Sequence, residues 1–136
     1  MTDRQRALVS SIVYVFRNRR FFNWHRIGVK RVPDGAKMYE FNGKVMLDSV
    51  DLQDDKYHKI IDQDLRLDSP IVIKLEFLGK RGTDLLKIQL YKDSSNFYGE
   101  DGDLFKFEGQ YYKNSDQIEI RDYSQDKDKY VYRIIW

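Results

Sequence analysis

The sequence predicts an α+β domain, an N-terminal amphipathic helix packed on a curved antiparallel β-sheet or a small, partly open barrel. Three observations carry this expectation. The first apolar stretch, "ALVSSIVYVF", has helical spacing: at about 100° per residue Val15, Leu8, Ile12, Phe16, Val9 and Val13 fall on one arc, with Arg6, Arg17, Ser10, Asn18 and Ser11 opposite. Later in the chain the period changes to two, as "IVIKLEFL", "DLLKIQLYK", "DQIEIRDY" and "KYVYRIIW" alternate inward and outward residues. Short turn-forming connections such as "GKRG" and "KNS" separate the runs, as in consecutive hairpins.

The helix is expected from Thr2 to Arg20. Thr2 and Gln5 have capping-box spacing, in which hydroxyl and amide each satisfy a free backbone N–H. A strand competes for the same stretch, because Val9, Ile12, Val13 and Val15 are β-branched. "VPDG" (32–35) forms a turn, with Pro33 pre-setting φ and Gly35 tolerating a positive one. A long strand follows over 37–50, with Tyr39, Phe41, Val45 and Leu47 on one side and Gly43 at a bend. Between about 51 and 68 the alternation breaks, and "DDKYHKIIDQDL" reads as an acidic helix capped by Asp54, burying Tyr57, Ile60 and Ile61, or as a loop.

Strands at 71–79 and 84–92 make one hairpin, and strands at 104–112 and 116–123 a second, with Phe105 and Phe107 facing Ile118 and Ile120. "DSSNFYGEDGD" is read as the linker between the hairpins, and "KYVYRIIW" is a further strand. By analogy of layout, five of these strands suit an OB-like barrel, whereas a helix wrapped by a curved sheet suits a nuclear-transport-factor-like or cystatin-like layout. The whole chain, 1–136, reads as a single domain: a basic helix and anchor over 1–24 and an antiparallel β body over 25–136.

Charge divides the chain more sharply than its net +2 suggests. Residues 1–37 hold nine Lys and Arg against Asp3 and Asp34, a balance of +7, and the remaining 99 residues hold 15 against 20 acidic groups, a balance of −5. The stretch "RNRRFFNWHR" sets arginines among aromatic rings. Phosphates need cations and unpaired bases offer π faces, so a non-catalytic nucleic-acid-binding or nucleic-acid-machinery accessory protein is the leading reading. Its expected contacts are Arg17, Arg19, Arg20, Trp24, Arg26, Lys30 and Arg31, with Lys80 and Arg81 at the "GKRG" tip.

The rival reading is a protein-interaction module or inhibitor that meets a basic protein partner through Asp48, Asp51, Asp54, Asp55, Asp62 and Asp64. A hydrophobic last strand left on an edge would also invite homodimer pairing. Catalysis is disfavoured. His25 and His58 have no metal-ligand spacing, the "DSSNFYGEDGD" stretch places Phe97 where a calcium loop needs an oxygen, and the pairs Asp101 with Asp103 and Asp62 with Asp64 suit turns. No cofactor or metal is expected. No apolar run approaches the ~20 residues of a membrane-spanning helix, and with no cysteine and no disulfide the expected setting is soluble and intracellular, cytoplasmic or nuclear.

Overall fold

Thr2 and Gln5 close the expected capping box: the Thr2 amide donates to Gln5 Oε1 at 2.8 Å and the Gln5 amide to Thr2 Oγ1 at 3.1 Å. From there α1 (Asp3–Arg17) is followed by ten strands: β1 (Arg26–Val32), β2 (Met38–Val45), β3 (Ser49–Leu52), β4 (Tyr57–Ile61), β5 (Val72–Leu78), β6 (Leu85–Tyr91), β7 (Asn96–Glu100), β8 (Lys106–Tyr112), β9 (Gln117–Asp122) and β10 (Lys129–Ile134). The structure, a computed structural model, describes residues 1–18, 26–32, 37–45, 49–52, 57–61, 72–78, 85–91, 95–101, 105–123 and 129–135.

Each strand pairs antiparallel with the next, and β10 returns to β1 with Val29 opposite Ile134, so the ladder closes into a barrel. Seven strands, β6 to β10 with β1 and β2, line the described core and curl around the helix, and the backbone ladders of β3, β4 and β5 complete the ring. The α+β class stands. The helix packs on a curled antiparallel sheet as expected, and the strand ladder continues through β3, β4 and β5 to close the ring.

The helix was expected to keep a wet face. Instead every described side chain from Arg6 to Val15 is buried, including Ser10 and Ser11 at 0% exposure. A helix buried all round needs a wall on every side, and the barrel supplies it. The serines reach this state by satisfying themselves locally: Ser10 Oγ donates to the Arg6 carbonyl at 2.9 Å and Ser11 Oγ to the Leu8 carbonyl at 2.7 Å. Leu8, Val9, Ile12 and Val13 then join Ile27, Phe41, Phe97, Phe107 and Tyr132 in one apolar core, each large side chain contributing roughly 1.5–3 kcal/mol by leaving water.

Two tripeptides shape the wall beside the helix. Phe97-Tyr98-Gly99 on β7 pairs with Phe107-Glu108-Gly109 on β8 so that each phenylalanine stands opposite the other strand's glycine. A Cβ at Gly99 would overlap the Phe107 ring and the Lys87 carbonyl, and one at Gly109 the Phe97 ring and the Glu119 carbonyl. The rings lie across the glycines, and the backbones approach more closely than any side chain permits. In the β8–β9 turn, Asp116 takes a φ of 51°, a conformation Asp tolerates better than most residues. Its carbonyl accepts from the Ile134 amide at 3.0 Å, and its carboxylate from the Tyr111 hydroxyl at 3.1 Å.

Several expectations change. Part of the 51–68 stretch is strand: β3 ends at Leu52 and β4 covers Tyr57–Ile61, so Tyr57, Ile60 and Ile61 lie on a strand rather than on the expected helix. "NFYGE" is β7 rather than linker, and "RIGVKRV" is β1, the first strand of the β body. Phe107 is buried opposite Asp122, while Phe105 precedes β8 and is half exposed, because Tyr111 and Gly109 take the places opposite Ile118 and Ile120. The last strand, β10, lies between β9 and β1 and is not an edge. The hairpin of β5 and β6 forms within the anticipated ranges, with Phe77 opposite Leu86 and Leu75 opposite Ile88.

Replacing either glycine of the paired tripeptides by alanine should lower stability by about 1–3 kcal/mol or more, since neither clash involves only a movable side-chain tip. A urea midpoint unchanged in Gly99→Ala and Gly109→Ala would show that the wall tolerates a methyl there.

Candidate functional site

The polar interior at the start of α1 is the first place where charge collects. Arg6, 5% exposed, donates from Nη1 to Asp122 Oδ2 at 3.0 Å and to the Met1 carbonyl at 2.8 Å, and from Nε to the Tyr132 hydroxyl at 3.1 Å. Tyr132 in turn donates to Asp3 Oδ1, and Tyr39 donates to Asp3 Oδ2 at 2.7 Å. The amino group of Met1 lies 3.3 Å from Asp101 Oδ2 and 3.2 Å from Asp122 Oδ2. The guanidinium groups of Arg6 and Arg31 both lie over the Tyr130 ring, 3.8 and 4.9 Å from its centroid.

Burial alone would raise the Asp3 carboxyl, but the hydroxyls of Tyr132 and Tyr39 and the charges of Arg31 and Arg6 outweigh it and hold Asp3 below its ordinary value. Burial, reinforced by the bond to Asp3, pushes the Tyr132 hydroxyl far above the ordinary tyrosine range. Every charge in this group faces a partner, so the group locks the helix into the barrel.

The outer wall differs. Strand alternation and ladder register arrange its outward side chains in rows that cross several strands. One row runs Tyr112, Gln117, Arg133, Lys30 and Met38 from β8 to β2. A second runs Gln89, Tyr98, Glu108, Arg121 and Lys129 from β6 to β10. A third, Lys87, Glu100 and Lys106, extends toward Tyr123, whose amide donates to the Lys106 carbonyl at 3.1 Å.

These rows set like charges face to face: Lys30 opposite Arg133, and Arg121 opposite Lys129. Lys129 has a carboxylate at 3.3 Å in Glu119. Among the described residues, no carboxylate pairs with Lys30 or Arg133. Beside the rows an open groove of about 940 Å³ is bordered by Tyr98, Phe105 and Tyr123 together with Lys87, Lys106 and Glu108. A smaller one of about 240 Å³ joins Tyr98 and Glu108 to Arg121 and Lys129.

The basic residues expected from sequence are dispersed by the fold. Arg17 is half-buried at the end of α1 and donates from Nη2 to the Asn96 carbonyl at 3.1 Å, and burial lowers its pKa. Arg31 points inward, 3.7 Å from Asp3. Arg26 is exposed and bonds Glu40 at 2.9 Å. Of this set, Lys30 has the outward cationic neighbour. Arg19, Arg20, Trp24, Lys80 and Arg81 lie outside the described residues, as do Asp48, Asp54, Asp55, Asp62 and Asp64. The backbone of Asp51 stands opposite His58 and Lys44.

Arg121, Lys129 and Arg133 were not anticipated. Their alternation with Ile120, Tyr132 and Ile134 marks them as outward, but their union with Lys30 needs the β1–β10 closure. Among the described residues, no three His, Cys, Asp or Glu side chains converge as metal ligands, and no helix is long and apolar enough to cross a membrane. No family model, curated protein or solved structure matches this chain.

The lock has a pH signature. With its folded pKa depressed, Asp3 contributes stability that is fully present above its ordinary value of 3.8 and is lost as pH falls through the lower folded value. Asp3→Asn should therefore destabilise the protein near neutral pH, by about 1–3 kcal/mol, and flatten the acid limb of a melting-temperature profile. Tyr132→Phe should destabilise comparably, and wild-type melting behaviour in both variants would show that the lock contributes nothing.

Proposed function

We propose that the protein binds nucleic acid without catalysing a reaction, its outer wall over β9, β10 and β1 receiving the phosphates. The facing pair Lys30 and Arg133 carries this reading. Like charges directly opposite on neighbouring strands repel, and an anion lying between them turns that repulsion into attraction. Arg121 opposite Lys129 is a second facing pair on the same wall, partly offset by the Glu119 carboxylate 3.3 Å from Lys129. Among the side chains described on these strands and on β2, the outward charges are Arg26, Lys30, Arg121, Lys129 and Arg133 against Glu40 and Glu119, a surplus of three positive charges. A strand of phosphates supplies several anions at once, and neutralising them releases counterions.

The basic end of the sequence thus divides its work. Arg6 and Arg31 serve the interior lock, and Lys30 and Arg26 serve the surface together with cations from the acidic half of the chain. With this reading goes an intracellular setting, cytoplasmic or nuclear, where nucleic acid is met. The rival reading, docking of a basic protein on the acidic segment near Asp51, draws no comparable pairing from the described residues.

The test is fluorescence anisotropy with labelled single-stranded DNA, single-stranded RNA and duplex DNA across a salt series. The double variant Lys30→Glu with Arg133→Glu should lose at least about tenfold in affinity. Loss of two phosphate contacts should also reduce the single-strand salt slope by roughly 1.4. Unaltered affinity and slope in a folded double variant would remove this wall as the binding face.

A further inference from the structure

We infer that the groove bordered by Tyr98, Phe105 and Tyr123 takes the unpaired bases of a single-stranded nucleic acid whose phosphates run along the neighbouring cationic rows; this rests on the nucleic-acid reading above. Exposure of the rings is the first support. Tyr98, Phe105 and Tyr123 are 40, 50 and 37% exposed, although their large faces gain most from leaving water.

The positions of these rings are fixed. The Phe105 amide donates to Asp101 Oδ1 at 3.0 Å, and its carbonyl accepts from the Asp101 amide at 2.9 Å, while Asp101 itself is buried against the Met1 amino group. The Tyr123 hydroxyl donates to Glu108 at 2.7 Å. Tyr98 lies in the ladder between Gln89 and Glu108. Its strand is held close to β8 by the phenylalanine–glycine exchange beneath. Rings on so firm a base present π faces without a large ordering cost.

Charge chooses the occupant. The bordering cations Lys87 and Lys106 are balanced by Glu100 and Glu108, so the groove as a whole neither attracts nor repels an anion. That balance suits an uncharged, flat group with hydrogen-bonding edges: carboxylate and amide oxygens accept from base amino groups, and ammonium groups donate to base carbonyls. The wall next to it carries the positive surplus. The two are continuous, because Tyr98 and Glu108 border both grooves, and the smaller groove ends at Arg121 and Lys129. A duplex keeps its bases stacked inside, so only a single strand can use both surfaces together.

The experiment compares wild-type binding of an oligothymidylate of roughly twelve nucleotides, within the site sizes known for stacking platforms, with an abasic deoxyribose-phosphate oligomer of equal length. The inference expects the oligothymidylate to bind at least about tenfold tighter. It further expects the triple variant Tyr98→Ala, Phe105→Ala, Tyr123→Ala to bind both oligomers with the abasic affinity. Equal wild-type affinities would overturn the base groove and leave the phosphate wall standing. A folded triple variant that keeps the preference would overturn the assignment to these rings. If wild-type protein binds neither oligomer at low salt, both the groove and the nucleic-acid reading fall.

Discussion

Enclosure of α1 is the constraint from which the other features follow. A helix with no wet face can carry polar groups only if each is satisfied inside, and this one brings Arg6, Ser10 and Ser11 into the core. The serines turn back on their own helix. Arg6 cannot, and a buried guanidinium without an anion costs far more than the packing around it returns. The pairing of Arg6 with Asp122 therefore sets the depth of the helix in the barrel, and Tyr132 and Asp3 fix its rotation.

The far end of the helix is held differently. Asn18 donates to the Tyr14 carbonyl at 2.8 Å and to the Tyr111 hydroxyl at 3.0 Å, and Tyr14 meets Tyr111 edge to face with centroids 6.3 Å apart. Tyr111 also reaches Asp116, so the helix end, β8 and the β8–β9 turn form one connected unit. Between the two ends, the reciprocal phenylalanine–glycine pairs bring β7 and β8 close around the helix. Because inward and outward residues alternate, the same pairs aim Tyr98 and Glu108 at solvent. Packing inside thus determines what the outer wall presents.

Interior and surface use arginine and lysine for different ends. Inside, Arg6 and Arg31 share the Tyr130 ring and the carboxylates of Asp3 and Asp122, so their charge is spent within the fold. Outside, Lys30 and Arg133 stand together with no carboxylate beside them among the described residues. A local charge count along the chain treats these groups alike. Their difference arises from alternate positions on β1, where Lys30 points out and Arg31 points in.

By itself the sequence determined the capping box, the helix, the period-two strands and most of the hairpins, because these depend on residues at most a few positions apart. It also marked Arg121, Lys129 and Arg133 as outward once their strands were recognised. Strand assignments failed where glycine and acidic residues interrupt the alternation, at β3, β4 and β7, since propensity there is weaker than the gain from completing a ladder. Only the tertiary structure decided that the helix is enclosed, because its serines look polar until the wall around them is known. Only closure of β10 on β1 brought Lys30 to Arg133 across more than a hundred residues of chain, a pairing that no local pattern encodes.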